Sequence, residues 1–277
     1  MNSMKNRSFF FFGAGILAFL ISPALIMAQQ TKAPAAQGPV TVTGPAWQKG
    51  DYWVKVDQML LMDFGDLAHF DDADVKLGPP AAGEQRVVFM GDSITQGWHL
   101  EEFFPGRPYV NRGISGQSSS QMLLRLRQDV IDLKPKVVLI LAGTNDFAEN
   151  TGPVTDEQVE GNQKSMADLA TANGIRVVMC SVLPAIHYWW HPELENPAPR
   201  IAKLNEWMKA YAAEKGYVYV DYYSAMKDAD GGLPKKSSPD GVHPSPDGYA
   251  EMAPLAEAGI ESALKAKDGE GKAGRKN

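Results

Sequence analysis

From residue 86 onward, short apolar runs alternate with stretches in which apolar residues recur every three or four positions. The runs Arg86 to Met90, Tyr109 to Ile114, Val137 to Leu141, Ile175 to Ser181 and Tyr217 to Val220 are rich in Val, Ile and Leu, and most lack polar alternation, the pattern of parallel strands covered on both faces. Between them lie helical stripes: Met122, Leu123, Leu126, Val130 and Leu133, then Ile201, Leu204, Met208 and Tyr211. Thr155 and Gln158 have capping-box spacing, and Gly174 and Gly216 stand where helices should stop before the next strand. Ser245 followed by Pro246 reads as a helix start. Strands alternating with helices predict an α/β fold with right-handed crossovers and a sheet covered on both sides. Residues 52 to 78 carry a helical pattern with Met59, Met62, Leu67 and Phe70, which predicts an extra helix on the sheet.

The two ends read differently. Lys5 and Arg7 precede a mostly apolar stretch from Phe9 to Ile26, and Ala28 offers a small residue for cleavage, so residues 1–28 are predicted to be a signal peptide. An uncleaved membrane anchor is the rival reading, with Pro23 and the Ala28 site favouring cleavage. Residues 29–46, rich in Ala, Pro, Gly, Thr and Gln, form a predicted linker. Residues 47–266 form the folded domain with its helical extension, and residues 267–277 a disordered tail. The expected product is an exported protein, periplasmic or secreted, without stable membrane insertion after cleavage.

Composition narrows the function. With 277 residues, 44% of them hydrophobic and 22% charged, the chain can bury a core without disulfides, which excludes wholesale disorder. A net charge of −6 argues against nucleic acid as a partner, since phosphate binding requires a basic surface. Cys180, the single cysteine, lies in the run Val177 to Cys180 and is expected to be buried.

In an open parallel sheet, the loops at the carboxyl ends of the strands collect the functional residues. Here those loops contain Gly91-Asp92-Ser93-Ile94-Thr95, Asn111 to Gly116, Gly143-Thr144-Asn145-Asp146 and Asp240-Gly241-Val242-His243. A serine hydroxyl needs a base to become nucleophilic; His243 can take its proton, and Asp240 can orient the imidazole. Candidate donors to a developing oxyanion are the backbone N–H groups of Ser93 and Gly116 and the side-chain amide of Asn145. Taken singly, Ser93 reads as a helix cap, Asp92 as a structural acceptor and Asp146 as a turn residue or loop brace. His187 and His191 are four apart, but Pro184 and Pro192 and the missing Glu argue against a zinc helix, so no metal is expected there. Asp228-Ala229-Asp230-Gly231 reads as a surface turn.

These four segments, in this order, resemble the blocks of the GDSL-type esterases and lipases, also called SGNH hydrolases. Ser93, Gly116, Asn145 and His243 match the Ser, Gly, Asn and His of that family, and Asp240 matches its triad carboxylate. The first block departs mildly, reading Gly-Asp-Ser-Ile rather than Gly-Asp-Ser-Leu. The resemblance spans Arg86 to Leu264 and implies a three-layer α/β/α sandwich around a five-stranded, flavodoxin-like parallel sheet, ester hydrolysis and no cofactor. The expected reaction is removal of short acyl groups, acetyl above all, from a carbohydrate or another small ester. A lysophospholipase or thioesterase is the enzymatic alternative, and a ligand-binding protein of the same fold is the non-catalytic one. Trp189 and Trp190 lie on a Pro-bounded loop after the fourth strand and are candidates to bind substrate, against the plainer reading that one packs inward and the other caps it.

Overall fold

Five parallel strands form the sheet: β1 (Val87–Gly91), β2 (Tyr109–Gly113), β3 (Val137–Leu141), β4 (Arg176–Cys180) and β5 (Val218–Val220), in the spatial order β2-β1-β3-β4-β5. This is the flavodoxin-like order, in register with Val88 opposite Val110 on one side and Val138 on the other. The predicted strands agree with it to within a residue at each end. The computed structural model describes residues 61–266, all within the second of the chain's two compact units, Gly44–Asn277. The predicted signal peptide, linker and tail lie outside the described residues.

The helices, in chain order, are α1 (Asp71–Leu77), α2 (Ser93–Gln96), α3 (Leu100–Phe103), α4 (Ser119–Leu126, continued by a π-turn at Arg127–Ile131), α5 (Thr144–Phe147), α6 (Asp156–Ala172), α7 (Ala198–Lys215), α8 (Tyr222–Met226) and α9 (Pro246–Lys265). Strand residues alternate between two cores. Val88, Met90, Val138, Ile140, Val177 and Met179 pack with Met122 and Leu126 of α4, Met166 of α6 and Ile201, Leu204 and Met208 of α7. Val87, Phe89, Val137, Leu139, Val178 and Cys180 face the opposite way, onto Trp98, Phe104 and the Met252, Ala256 and Ile260 stripe of α9. Each large apolar side chain among them contributes about 1.5–3 kcal/mol on burial, which is why both faces of the central strands β1 and β3 are apolar. The result is the three-layer α/β/α sandwich.

The boundary signals act as expected. The Thr155 hydroxyl accepts from the Gln158 N–H while the Gln158 side chain accepts from the Thr155 N–H, and Gly216 ends α7 in the left-handed region. Ser245 caps α9 through the Gly248 N–H, with Pro246 in the first turn. Asp228 closes a turn by accepting from the Asp230 and Gly232 N–H groups.

The helical extension is not one helix: Leu61 and Met62 are helical and Asp71–Leu77 forms α1, with a break between them. Met59 lies outside the described residues. Leu61 and Met62 are 83% and 91% exposed, residues 63 to 70 run through turns, and α1 buries none of its residues. The cause is local: the Asp63 carboxylate accepts from the Leu67 N–H at 2.6 Å and Asp66 takes φ 50°, a side-chain-to-backbone arrangement that competes with the helix. Leu77 packs on the core, and the rest of this segment is held mainly by polar contacts. Its carbonyls at Phe64, Gly65 and Leu67 accept from Gln121, Gln117 and Gln128, Asp74 pairs with Arg112, and Phe70 lies under the Arg112 guanidinium at 4.5 Å.

Candidate active site

Because the chain leaves β1 for β2 on one side and then crosses to β3 on the other, the loops after β1 and β3 diverge and leave a crevice at the carboxyl edge. Ser93 opens α2 directly after β1. The helix cap is Asp92, not Ser93: the Asp92 carboxylate accepts from the Ile94 N–H at 2.9 Å, so the Ser93 hydroxyl is free to point elsewhere. It meets His243 Nε2 at 2.9 Å. On the far side of the ring, His243 Nδ1 lies 2.7 Å from Asp240 Oδ2.

The loop itself fixes the carboxylate. Asp240 Oδ1 accepts from the N–H groups of Val242 and His243 at 3.0 and 2.8 Å and from the Ser238 hydroxyl at 3.2 Å. Partial burial pushes the Asp240 carboxyl up, but hydrogen bonds from the His243 backbone and ring and from Val242 outweigh it and hold the group at about 2. An ionised Asp240 can only accept, so the ring proton resides on Nδ1 and the lone pair of Nε2 faces Ser93. That arrangement can draw a proton from the serine hydroxyl as the oxygen attacks a carbonyl.

Gly116 and Asn145 lie after β2 and β3, on connections at the same carboxyl edge. Gly116 has φ +78°, a region that L side chains rarely adopt. Gly113 answers a different need: a Cβ there would lie 2.2 Å from the Gln96 backbone nitrogen, so it permits the close approach of β2 to α2. Asn145, 2% exposed on α5, donates from Nδ2 to the Gln117 carbonyl at 3.0 Å. The Asn150 amide joins the two, donating to Gly116 O at 3.0 Å and to Asn145 Oδ1 at 2.9 Å. Asp146 braces these loops, accepting from the N–H and hydroxyl of Ser119 at 2.8 and 2.6 Å.

The two tryptophans divide. Trp190 is buried, its ring 6.2 Å from the His243 ring and its Nε1–H donating to Asn150 at 2.9 Å. Trp189 packs edge-on to it and remains 58% exposed. His191 Nδ1 meets Glu193 at 2.9 Å, and His187 is exposed on the same non-helical loop.

Three supports have no counterpart in the sequence reading: Asn150, Gln117 and Arg125. Arg125 is fully buried and donates to the carbonyls of Gly91 and Arg112, to Gln117 and to Asp129, so it ties the ends of β1 and β2 to α4. Its signal was available: Arg125 and Asp129 are an opposite-charge i, i+4 pair on the inward face shared with Met122 and Leu126.

Residues 89–251 match the GDSL-like Lipase/Acylhydrolase family. The chain belongs to that family. A GDSL-like lipase from Bacteroides thetaiotaomicron is 43% identical, with a TM-score of 0.70 over 73% of this chain and 100% of that one. Platelet-activating factor acetylhydrolase IB subunit alpha1 of Rattus norvegicus is 31% identical over 180 residues, 61% of this chain and 72% of that protein. The uncharacterized lipoprotein YqeF of Bacillus subtilis is 29% identical over 131 residues, 40% of this chain and 54% of that protein. This GDSL-family chain is therefore a carboxylic ester hydrolase. Among the described residues no helix is long and apolar enough to cross a membrane.

Proposed function

We propose that this esterase is exported and removes short acyl groups, acetyl foremost, from a carbohydrate or another small ester, using Ser93, His243 and Asp240 as its triad. Ser93 Oγ attacks the ester carbon while its proton passes to His243 Nε2. The alcohol departs with that proton, leaving an acyl-serine. Water then attacks the acyl group, again losing a proton to Nε2, and the acid leaves as Ser93 regains its hydrogen. The N–H groups of Ser93 and Gly116 and the Asn145 amide receive the oxyanion in both halves. No metal takes part, so chelation with EDTA leaves the rate unchanged.

The observation that carries this reading is the continuous Ser93 to His243 to Asp240 hydrogen-bonded line, 2.9 and 2.7 Å. The substrate class rests on the rim. About a third of the His243 and Asp240 side chains is exposed, and the open indole of Trp189 packs on Trp190, whose ring lies 6.2 Å from that of His243, a surface on which a sugar face can stack while a small acyl group enters. Similarity to a protein named as an acetylhydrolase favours acetyl over longer chains. The test compares acetyl, octanoyl and palmitoyl esters of one chromogenic alcohol, then acetylated oligosaccharides against lysophospholipids. Preference for acetyl and for the sugar ester supports the proposal; preference for palmitoyl and lysophospholipid replaces it with the lipid alternative, and no turnover of any ester favours the non-catalytic one. Export rests on residues 1–28, and sequencing the amino terminus of the mature protein tests it: a start near Gln29 is expected.

A further inference from the structure

An asparagine used as an oxyanion donor carries a liability. Its amide can turn by 180° about the last side-chain bond, and in the wrong orientation it presents a carbonyl oxygen, which repels the developing charge. Buried Asn145 is met on its two sides by the Gln117 carbonyl and by the amide of Asn150. Gln117 O can only accept and so demands Nδ2. Asn150 would offer no such discrimination if its own amide were free to turn.

Asn150 is not free to turn. Its Oδ1 receives the indole N–H of Trp190 at 2.9 Å, and its Nδ2 donates to the Gly116 carbonyl at 3.0 Å. An indole N–H only donates and a carbonyl only accepts, so the two groups fix the Asn150 amide in one sense. Its Nδ2 then faces Asn145, which must present Oδ1. The backbone holds the same pair together, Asn150 N–H donating to Asn145 O at 3.1 Å. Of the two hydrogens on Asn145 Nδ2, Gln117 takes one and the other is left for an oxyanion.

We propose that Asn150 is a positioning residue that sets the orientation of the Asn145 amide, relaying to it the fixed polarity of the Trp190 indole and the Gly116 carbonyl. Trp190 also packs on His243, so a single indole supports both the general base and the oxyanion donor. The inference rests on the role proposed above for Asn145.

A double-mutant cycle on kcat with a minimal acetyl ester tests it. Asn145→Ala is expected to lower kcat about 10²- to 10³-fold, as loss of one oxyanion donor does. Asn150→Ala should lower kcat about 10- to 10²-fold, less than Asn145→Ala because Gln117 still selects the correct orientation, with KM within about threefold. On the Asn145→Ala background the same substitution should cost about threefold or less, since no amide remains to orient. Asn150→Asp keeps the shape and accepts from Trp190 but cannot donate to Gly116 or Asn145; it should lose at least as much kcat as Asn150→Ala, and it decides the question if the alanine variant does not fold. Trp190→Phe, which removes the N–H together with part of the ring that packs on His243, should reduce kcat several-fold in the parent and by a smaller factor on Asn150→Ala, where the N–H has no amide left to hold. Full multiplication of the Asn150→Ala and Asn145→Ala losses, or wild-type kcat in both Asn150 variants, overturns the inference while leaving the triad reading intact. A fully active Asn145→Ala overturns the assigned oxyanion donor and this inference with it.

Discussion

Replacing Asp240 by Asn alters one atom, and the loop decides which way the new amide must sit. Three donors converge on the site of Oδ1: the N–H groups of Val242 and His243 and the Ser238 hydroxyl. If the amide oxygen occupies that site, all three bonds survive, but the NH2 group then faces His243 Nδ1. The ring must accept there, so its proton moves to Nε2, and the base points a hydrogen at Ser93 instead of a lone pair. If the amide is reversed, the ring keeps its tautomer, but two backbone N–H groups face an NH2. Each bond so lost costs about 1–3 kcal/mol, so the reversed placement is disfavoured by about 2–6 kcal/mol. Because about a third of the Asp240 side chain is exposed, water relieves part of that cost, and the lower half of the range applies. The productive tautomer then falls to a few per cent or less, and with the lost charge beside the imidazolium kcat/KM should fall about 10²- to 10³-fold. Hydrolysis of a chromogenic acetyl ester measures the rate, a thermal melt verifies folding, and nitrogen NMR of labelled histidine locates the ring proton. A loss under about tenfold, or a ring proton still on Nδ1 in the folded variant, would refute the reasoning.

Three further expectations follow from the same site. Ser93→Ala should abolish covalent turnover while substrate binding persists, and organophosphate labelling followed by peptide mass analysis should place the adduct on Ser93; labelling of another serine contradicts this. Burial pushes the Asp92 carboxyl from its ordinary 3.8 up to about 7 against the Ile94 N–H and the His243 charge, so the folded protein binds this proton more tightly than the unfolded chain does. Stability should therefore fall as pH rises from about 4 to about 7 and then level. The Tm of Asp92→Asn should gain on the parent over that window, and parallel Tm profiles would be inconsistent with it. Trp189→Ala should raise KM for an acetylated oligosaccharide and leave a minimal acetyl ester nearly unaffected, with Tm unchanged because the ring is exposed; equal losses on both substrates would exclude a platform role.

What was legible in the sequence, and what was not, follows from how far each signal travels along the chain. The central strands could be read because each needs apolar residues on both faces within five consecutive positions, as Val137 to Leu141 supplies. Ser93, Asn145 and the Asp240–His243 pair could be read because each lies on a short block at a strand's carboxyl end or on one later loop, where topology alone brings them together. The segment from 61 to 77 misled because Met59 and Met62, like Leu67 and Phe70, are three apart, yet spacing cannot report that Asp63 will capture the Leu67 N–H and turn the chain. Asn150 stood in a turn-rich stretch and carried no signal, since its meaning comes from Trp190, forty residues away.

Arg125 defines the boundary between these cases. A guanidinium on the inward face of a helix is costly unless each of its nitrogens finds a partner, and here the acceptors are the Gly91 and Arg112 carbonyls, Gln117 and Asp129. The Gly91 carbonyl sits two residues before Ser93, Arg112 adjoins Gly113, and Gln117 supplies the carbonyl that holds Asn145. The proposed nucleophile, the glycine loop and the proposed oxyanion amide are thus referred to one fully buried side chain. The pattern of charge on α4 could reveal that such a residue turns inward; only the folded chain could reveal that it turns toward the site.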